Sequence, residues 1–112
     1  MALEVNITTY KDTPVLQLAG RVVDIDVKKF IRRLEMLYKK KYPKIIVDLS
    51  KTNFIDSHAL GIIVYYHTMM QREKRELIIC NANPHPRNYL ARLFNLTNLN
   101  TVIPTIGSLE MA

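Results

Sequence analysis

The chain has 112 residues, of which 48% are hydrophobic, and it carries a formal net charge of +6. This length and composition favour one globular domain over residues 1–112 rather than two domains. The single cysteine, Cys80, lies in an apolar run, which excludes a disulfide scaffold and indicates a buried structural thiol. The chain has no apolar leader segment and no run near ~18 apolar residues, so we expect a cytoplasmic protein without a membrane span.

The first elements predicted along the chain are two strands. Apolar and polar residues alternate over residues 3–10, the period-two pattern of a half-buried strand. After Lys11 and Asp12, residues 14–19 indicate a second strand, which Gly20 is expected to close. Together these segments predict an antiparallel hairpin.

A basic amphipathic helix is predicted next. Apolar residues recur at helical spacing over residues 27–38, Asp24 or Asp26 is expected to cap the helix, and Pro43 prevents its continuation. The other faces are rich in positive charge, at Lys28, Lys29, Arg32 and Arg33. Such a face could meet nucleic acid, an anionic membrane or an acidic protein, but solvation is its simplest interpretation.

From residue 44 onward, strands and helices alternate. Strands are predicted over 44–48, 76–82 and 102–103, and helices over 57–74, over 87–94 and from about 108. With the N-terminal hairpin, this order predicts an α/β fold. It comprises a mixed sheet of four to five strands with a parallel core, an antiparallel N-terminal hairpin and about four helices.

The helix predicted over 57–74 carries more apolar residues than one buried face needs. A surface helix buries an apolar arc of a little over ~100°. The excess suggests unusual burial or a partner surface that includes Tyr65, Tyr66 or Met69. For any one of these residues, core packing is the more common explanation.

Residues 45–61, IIVDLSKTNFIDSHALG, place a hydroxyl group at the start of this helix. Backbone N–H groups at a helix N-terminus are unpaired, and the helix dipole favours negative charge there. Ser57 therefore lies where a phosphate could be accommodated. From residue type alone, an ordinary serine N-cap is the more common explanation.

No arrangement of residues predicts an enzyme. A catalytic triad needs a base within reach of the nucleophile, but Asp56, Ser57 and His58 are adjacent on a helix and do not face one another. The spacing of His67 and His85 from Ser57 does not indicate a base either. The motifs of serine hydrolases, zinc proteases and P-loop proteins are absent from the sequence. We therefore expect no catalytic residues, metal site or cofactor.

A phospho-accepting receiver domain is a second alternative, because Asp48 follows the third predicted strand. Receiver domains also need an acidic pair after the first strand and a lysine after the last. Here the first strand ends Thr8-Thr9-Tyr10, and Pro104-Thr105-Ile106 follow the last strand. Both requirements fail, and Asp48 is instead expected in a turn or supporting a neighbouring residue.

Two motifs resemble those of STAS domains, the anti-sigma-factor antagonist family. FIDSHALGII, following VDLS, is similar to the family's core motif, and LARLFNLTNLNTVIPTIGSLEMA is similar to its C-terminal end. The resemblance implies the same α/β architecture and makes Ser57 the phosphate acceptor. Many relatives have a second small hydroxyl residue and then glycine where this chain has His58 and Ala59. The family also tends to have an acidic residue shortly after the glycine of the second strand. Asp24 matches that residue only when the alignment is shifted by one position.

The resemblance implies an anti-sigma-factor antagonist. The unphosphorylated protein would bind an anti-sigma factor, often a serine kinase of the histidine-kinase-like ATPase fold. Phosphorylation of Ser57 would end binding, and a phosphatase would restore it. The partner surface implied comprises Asp24, Asp56, His58, Ala59 and Gly61.

The alternative is a STAS adaptor subunit, not phosphorylated, in a transport or lipid-trafficking assembly. The basic first helix and the altered DSHALG motif lend this alternative some weight. Nucleic-acid binding is not expected, because the chain lacks the interleaved aromatic residues that single-strand binders use for stacking.

Overall fold

Five strands and two helices make up the regular structure of the described residues, which are 3–22, 26–80, 103–106 and 109 of the computed structural model. The strands are β1 (Glu4–Tyr10), β2 (Thr13–Val22), β3 (Lys44–Ile55), β4 (Glu76–Cys80) and β5 (Thr105–Ile106). The helices are α1 (Val27–Lys39) and α2 (Ser57–Arg72).

The strands form one mixed sheet in the order β1-β2-β3-β4-β5. β1 is antiparallel to β2, whereas every other neighbouring pair is parallel, which confirms the predicted hairpin and parallel core. The described residues contain two helices rather than the predicted total of about four. The helix predicted over 87–94 lies outside the described residues, and of the helix predicted from about 108 only residue 109 is described, in a 3₁₀ conformation.

Both helices cover the same face of the sheet. α1 connects β2 to β3, and α2 connects β3 to β4. Both connections move to the next strand in the same direction across the sheet, and right-handed crossovers of this kind place their helices on one side. Alternate strand residues therefore pack against the helices. The cluster on this face includes Leu16, Leu18, Ile45, Val47, Leu77, Ile79, Phe30, Leu34, Ile63 and Met70.

The opposite face of the central strands is also buried. Val15, Ile46, Ile78 and Cys80 form a second apolar cluster there. Burial on both faces explains why β3 and β4 begin with unbroken apolar runs instead of alternating. It also confirms that Cys80 is a buried thiol, whose pKa is raised by its removal from water.

β2 and β3 are longer than the sequence predicted. β2 continues through Gly20, which adopts a φ of 101°, and a register shift follows between Gly20 and Arg21. β3 does not end at Asp48 but stays paired with β2 as far as Ile55, opposite Val22. Within this extension Thr52 is buried and donates from Oγ1 to the carbonyl oxygen of Leu18 at 2.8 Å.

The sequence left two alternatives for Asp48, a turn or support for a neighbouring residue. The turn is wrong, because Asp48 lies within β3, but its Oδ1 does accept a hydrogen bond from the Ser50 backbone nitrogen at 2.9 Å. Ile103, predicted to lie in the fifth strand, precedes that strand, which is described at Thr105–Ile106. The fifth strand pairs with β4, whose Ile79 nitrogen donates to the carbonyl oxygen of Pro104 at 2.9 Å.

The amphipathic nature of α1 is confirmed. Val27, Phe30, Leu34 and Leu37 are buried, while the basic residues at 28, 29, 32 and 33 are exposed. Asp26 holds the N-cap position, but its side chain makes no capping hydrogen bond, so the predicted side-chain cap is absent at this residue. Asp24, the other cap candidate, lies outside the described residues.

Arg75 ties together the C-terminal ends of both helices. Its Nε donates to the carbonyl oxygen of Tyr42 at 2.7 Å, and its Nη2 donates to that of Tyr38 at 3.0 Å. Its Nη1 lies 2.9 Å from Glu73, and its guanidinium lies over the Tyr38 ring. The Tyr38 hydroxyl also donates to Glu73, and these bonds from Tyr38 and Arg75 lower the pKa of Glu73. The Arg75 side chain is only 8% exposed.

Arg75→Ala should therefore destabilise the fold by about 2–3 kcal/mol, because two carbonyl oxygens and Glu73 each lose a hydrogen bond at a mostly buried position. Arg75→Lys should recover only part of this loss, since an ammonium group cannot reproduce the planar fork. Urea denaturation followed by circular dichroism measures the difference. Arg72→Ala, at an exposed position nearby, is the matched control and should stay within about 0.5 kcal/mol of wild type. Equal effects of Arg75→Ala and Arg72→Ala would contradict this role.

Candidate functional site

The candidate site is built on the turn between β3 and α2. Asp56 follows the last residue of β3, and its backbone nitrogen donates to the carbonyl oxygen of Val22 at 3.0 Å. Asp56 is thereby held in an extended conformation, with a φ of −89° and a ψ of 173°. The end of β2 thus fixes where α2 begins.

Asp56 is the N-cap residue of α2. Its Oδ1 accepts a hydrogen bond from the Ala59 backbone nitrogen at 2.9 Å, and its carbonyl oxygen accepts the Leu60 nitrogen at 3.0 Å. This arrangement satisfies one of the N–H groups that every helix leaves unpaired at its N-terminus. The interpretation of Ser57 as an ordinary N-cap is therefore wrong.

Ser57 is the first residue of α2, as predicted, and its side chain is exposed. Among the residues that the structure describes, no group forms a hydrogen bond with its hydroxyl. Because Asp56 already caps the helix, the hydroxyl has no structural task in the described fold. The helix dipole at this position favours an added negative charge by a few tenths to about 1 kcal/mol.

The other residues predicted for the site have different surroundings. His58 is exposed beside Ser57, whereas Ala59 is fully buried and contributes its backbone N–H to the cap. Gly61 is exposed, and a Cβ added there would meet no atom of the described residues within 4 Å, apart from its chain neighbours and the backbone of its own helix. Asp24 lies outside the described residues.

Tyr65, which the apolar excess of the helix indicated as a candidate partner residue, extends this exposed surface. It lies one helical turn beyond Gly61 and two beyond Ser57, and the i, i+4 spacing places all three on one face. The Tyr65 side chain is 56% exposed. Tyr66, which the apolar excess of the helix indicated equally, is buried against the ring of Tyr38 at 5.5 Å between centroids.

His67 lies ten residues beyond Ser57 in α2, about 15 Å along the helix axis, and is buried, so it does not contact the exposed hydroxyl. Its Nδ1 has no hydrogen-bond partner among the described residues. Within the described ranges no three metal-binding side chains gather into a cluster. In the same part of the chain, no helix has the length and apolar character needed to cross a membrane.

The fold is that of a small α/β domain with both described crossover helices on one face of the sheet and an exposed serine at the start of the second helix. A family model described as "STAS domain" matches residues 4–112. The chain belongs to the STAS domain family. This confirms the family resemblance seen in the sequence.

Comparison with individual proteins gives the same fold. The anti-sigma F factor antagonist of Paenibacillus polymyxa is 22% identical over 106 residues, which cover 93% of this chain and 86% of that protein. An anti-sigma factor antagonist from Mycobacterium paratuberculosis superposes with a TM-score of 0.82 at 17% identity, covering 97% of this chain and 89% of the other. The phosphorylated form of the Bacillus cell fate determinant SpoIIAA gives 0.67 at 15% identity, covering 98% and 95%.

The division of roles between Asp56 and Ser57 can be tested by stability measurements. Asp56→Ala should destabilise the protein by about 1 kcal/mol, because the Ala59 nitrogen loses its acceptor. Ser57→Ala should change the stability by less than about 0.5 kcal/mol. Asp56→Asn, which retains a capping oxygen, is the control and should behave nearly as wild type. Thermal denaturation of the three variants measures the effect, and a Ser57→Ala loss as large as that of Asp56→Ala would contradict the assignment.

Proposed function

We propose that this chain is an anti-sigma-factor antagonist. In this role it binds an anti-sigma factor in the cytoplasm through the N-terminal half of α2 and so frees a sigma factor for transcription. The observation that carries the proposal is the exposed Ser57 hydroxyl, which has no partner in the described fold and stands at the start of a helix capped by another residue. Membership of the STAS family and the similarity to anti-sigma factor antagonists of Paenibacillus polymyxa and Mycobacterium paratuberculosis support it.

The contact surface consists of Ser57, Gly61 and Tyr65, with His58 at its rim. The open space above Gly61 lets a partner approach the helix backbone closely. Tyr65 offers a large, rigid side chain with a polar end, a residue type that often dominates binding energy at interfaces. These residues extend over two turns of α2, enough to orient a partner along the helix axis.

Phosphorylation of Ser57 is the switch that ends binding. The partner is a serine kinase of the histidine-kinase-like ATPase fold, and it supplies both the ATP and the base. The Ser57 oxygen attacks the γ-phosphorus, the hydroxyl proton passes to the partner's base, and ADP leaves. A phosphatase reverses the modification. The phosphorylated form of the Bacillus cell fate determinant SpoIIAA, which shares the fold, supports this proposal.

The switch acts by blocking the surface rather than by unfolding the domain. A phosphoserine carries a charge of about −1.5 to −2 and three acceptor oxygens. The dipole of α2 offsets part of that charge, and the cap at Asp56 does not use the Ser57 hydroxyl. A partner docked over the same position instead meets a hydrated dianion next to the Asp56 carboxylate, so the complex is lost while the fold remains.

Variants of Ser57 separate this mechanism from a structural adaptor. Ser57→Ala should bind the partner but accept no phosphate, and Ser57→Asp should stay folded yet bind at least tenfold more weakly, a loss of ~1.4 kcal/mol or more. His58→Ser should remain a phosphate acceptor. Mass spectrometry after incubation with the cognate kinase and ATP locates the phosphate, and calorimetric titration measures the affinity.

Gln71→Asp adds the same charge at an exposed position about 21 Å further along α2 and is the matched control, with wild-type affinity expected. Phosphate at another residue, or tight binding by Ser57→Asp, would contradict the switch. The alternative of an unphosphorylated STAS adaptor in a transport or lipid-trafficking assembly would then replace it.

Gly61 allows binding and stability to be separated. Gly61→Leu should stabilise the fold by about 0.5–1 kcal/mol, because glycine is unfavourable inside a helix and the added side chain enters open space. The same change should weaken partner binding at least tenfold, since the side chain fills the approach to the backbone. Gln71→Leu, about 15 Å further along the helix, is the control and should leave affinity unchanged. Wild-type affinity of Gly61→Leu would exclude this surface.

A further inference from the structure

We propose that a groove between α1 and β1 binds an acidic, extended segment of a partner protein, which adds as a strand to the free edge of β1. The groove has a volume of about 470 Å³. Residues 3–6 line one side of it, and Lys29, Arg32 and Arg33 line the other. We call this feature the basic groove. The proposal rests on observations separate from those behind the proposed function.

The charges of the basic groove are unbalanced. Lys29, Arg32 and Arg33 lie on consecutive turns of α1, and each is exposed. None of them forms an ion pair with another residue in the described part of the chain. Other basic residues do form such pairs: Lys39 lies 2.8 Å from Glu35, and Lys41 lies 3.8 Å from Glu73. Among the described residues that line the groove, Glu4 is the one acidic residue beside these three cations.

The opposite wall of the groove offers main-chain hydrogen-bonding groups. In the described sheet β1 is an edge strand that pairs with β2 along one side only. Alternate N–H and C=O groups of an edge strand point away from the sheet, where an added strand can pair with them. β1 has seven residues, which is long enough for such an addition.

Charge and shape select the occupant. An extended segment with carboxylate side chains on one face could pair with β1 while those carboxylates meet Lys29, Arg32 and Arg33. A second copy of this chain would bring the same cations into contact with one another, and like charges oppose that association. A bilayer surface is flat and would leave the concave part of the groove unused. The solvated face expected from the sequence does not account for the groove.

The basic groove lies at the same end of the sheet as the candidate site. β1 runs antiparallel to β2, so its first residue, Glu4, lies opposite Ala19 near the C-terminal end of β2. α1 and α2 both begin at that end, after β2 and β3. A partner bound at the start of α2 would therefore lie at the same end of the sheet as the basic groove.

Binding to this groove can be tested with a short fluorescent peptide that alternates glutamate and threonine. Fluorescence anisotropy with the full chain should detect binding that weakens as salt is raised, because the cations are exposed. Amide resonances of β1 and α1 should shift in nitrogen–proton correlation spectra. A peptide that alternates lysine and threonine should not bind.

Charge reversal tests the side-chain part of the proposal. Arg32→Glu combined with Arg33→Glu should weaken the peptide complex at least tenfold. Lys40→Glu combined with Lys74→Glu changes the net charge equally at exposed positions outside the groove and should have an effect below about threefold. Thermal denaturation checks that both double variants are folded. Equal losses in the two variants would overturn the proposal in favour of net charge alone.

N-methylated peptides test strand addition without altering charge. Methyl groups on alternate backbone nitrogens remove donors from one edge of the peptide, and only one of the two methylation frames should abolish binding. Binding that is equal in both frames would overturn strand addition. Binding to duplex DNA or to anionic lipid vesicles that competes with the peptide at similar affinity would overturn the choice of partner. A concentration-dependent dimer that dissociates on Arg32→Glu would do the same.

Discussion

The pairing of β2 with β3 is the constraint on which the other features depend. The two strands stay paired from Val15 opposite Ile46 to Val22 opposite Ile55, and the buried Thr52 hydroxyl donates to β2 within the extension. Because both strands end together, α1 and α2 both begin at the same end of the sheet. The hydrogen bond from the Asp56 nitrogen to Val22 then sets the first turn of α2. A shorter β3 would leave Ser57 without a defined position.

The two ends of the molecule carry different chemistry. At the C-terminal ends of the helices, Arg75 satisfies two backbone carbonyl oxygens and pairs with Glu73, so the polar groups there already have partners. At the N-terminal end of α2, Asp56 caps the helix, and the Ser57 hydroxyl forms no hydrogen bond with the described residues. This division explains how a charge could be added at Ser57 without unfolding the domain.

The sequence determined the features that local patterns encode. Alternation over β1 and the apolar runs of β3 and β4 predicted the strands, and helical spacing predicted α1 and α2 close to their observed limits. The alternation of strands and helices then predicted the parallel core, because right-handed crossovers leave few other arrangements. The position of Ser57 at a helix N-terminus and the burial of Cys80 followed from the same reasoning.

Only the tertiary structure decided features that depend on contacts distant in sequence. Residues 50–55 are largely polar and indicate a loop, yet pairing with β2 makes them strand. Asp56 and Ser57 are both good N-cap residues, and the bond to Val22 selects Asp56. Tyr65 and Tyr66 are alike in sequence, but packing against Tyr38 buries only Tyr66 and leaves Tyr65 exposed. The basic groove exists because the fold brings α1 beside β1, a proximity that no local pattern encodes.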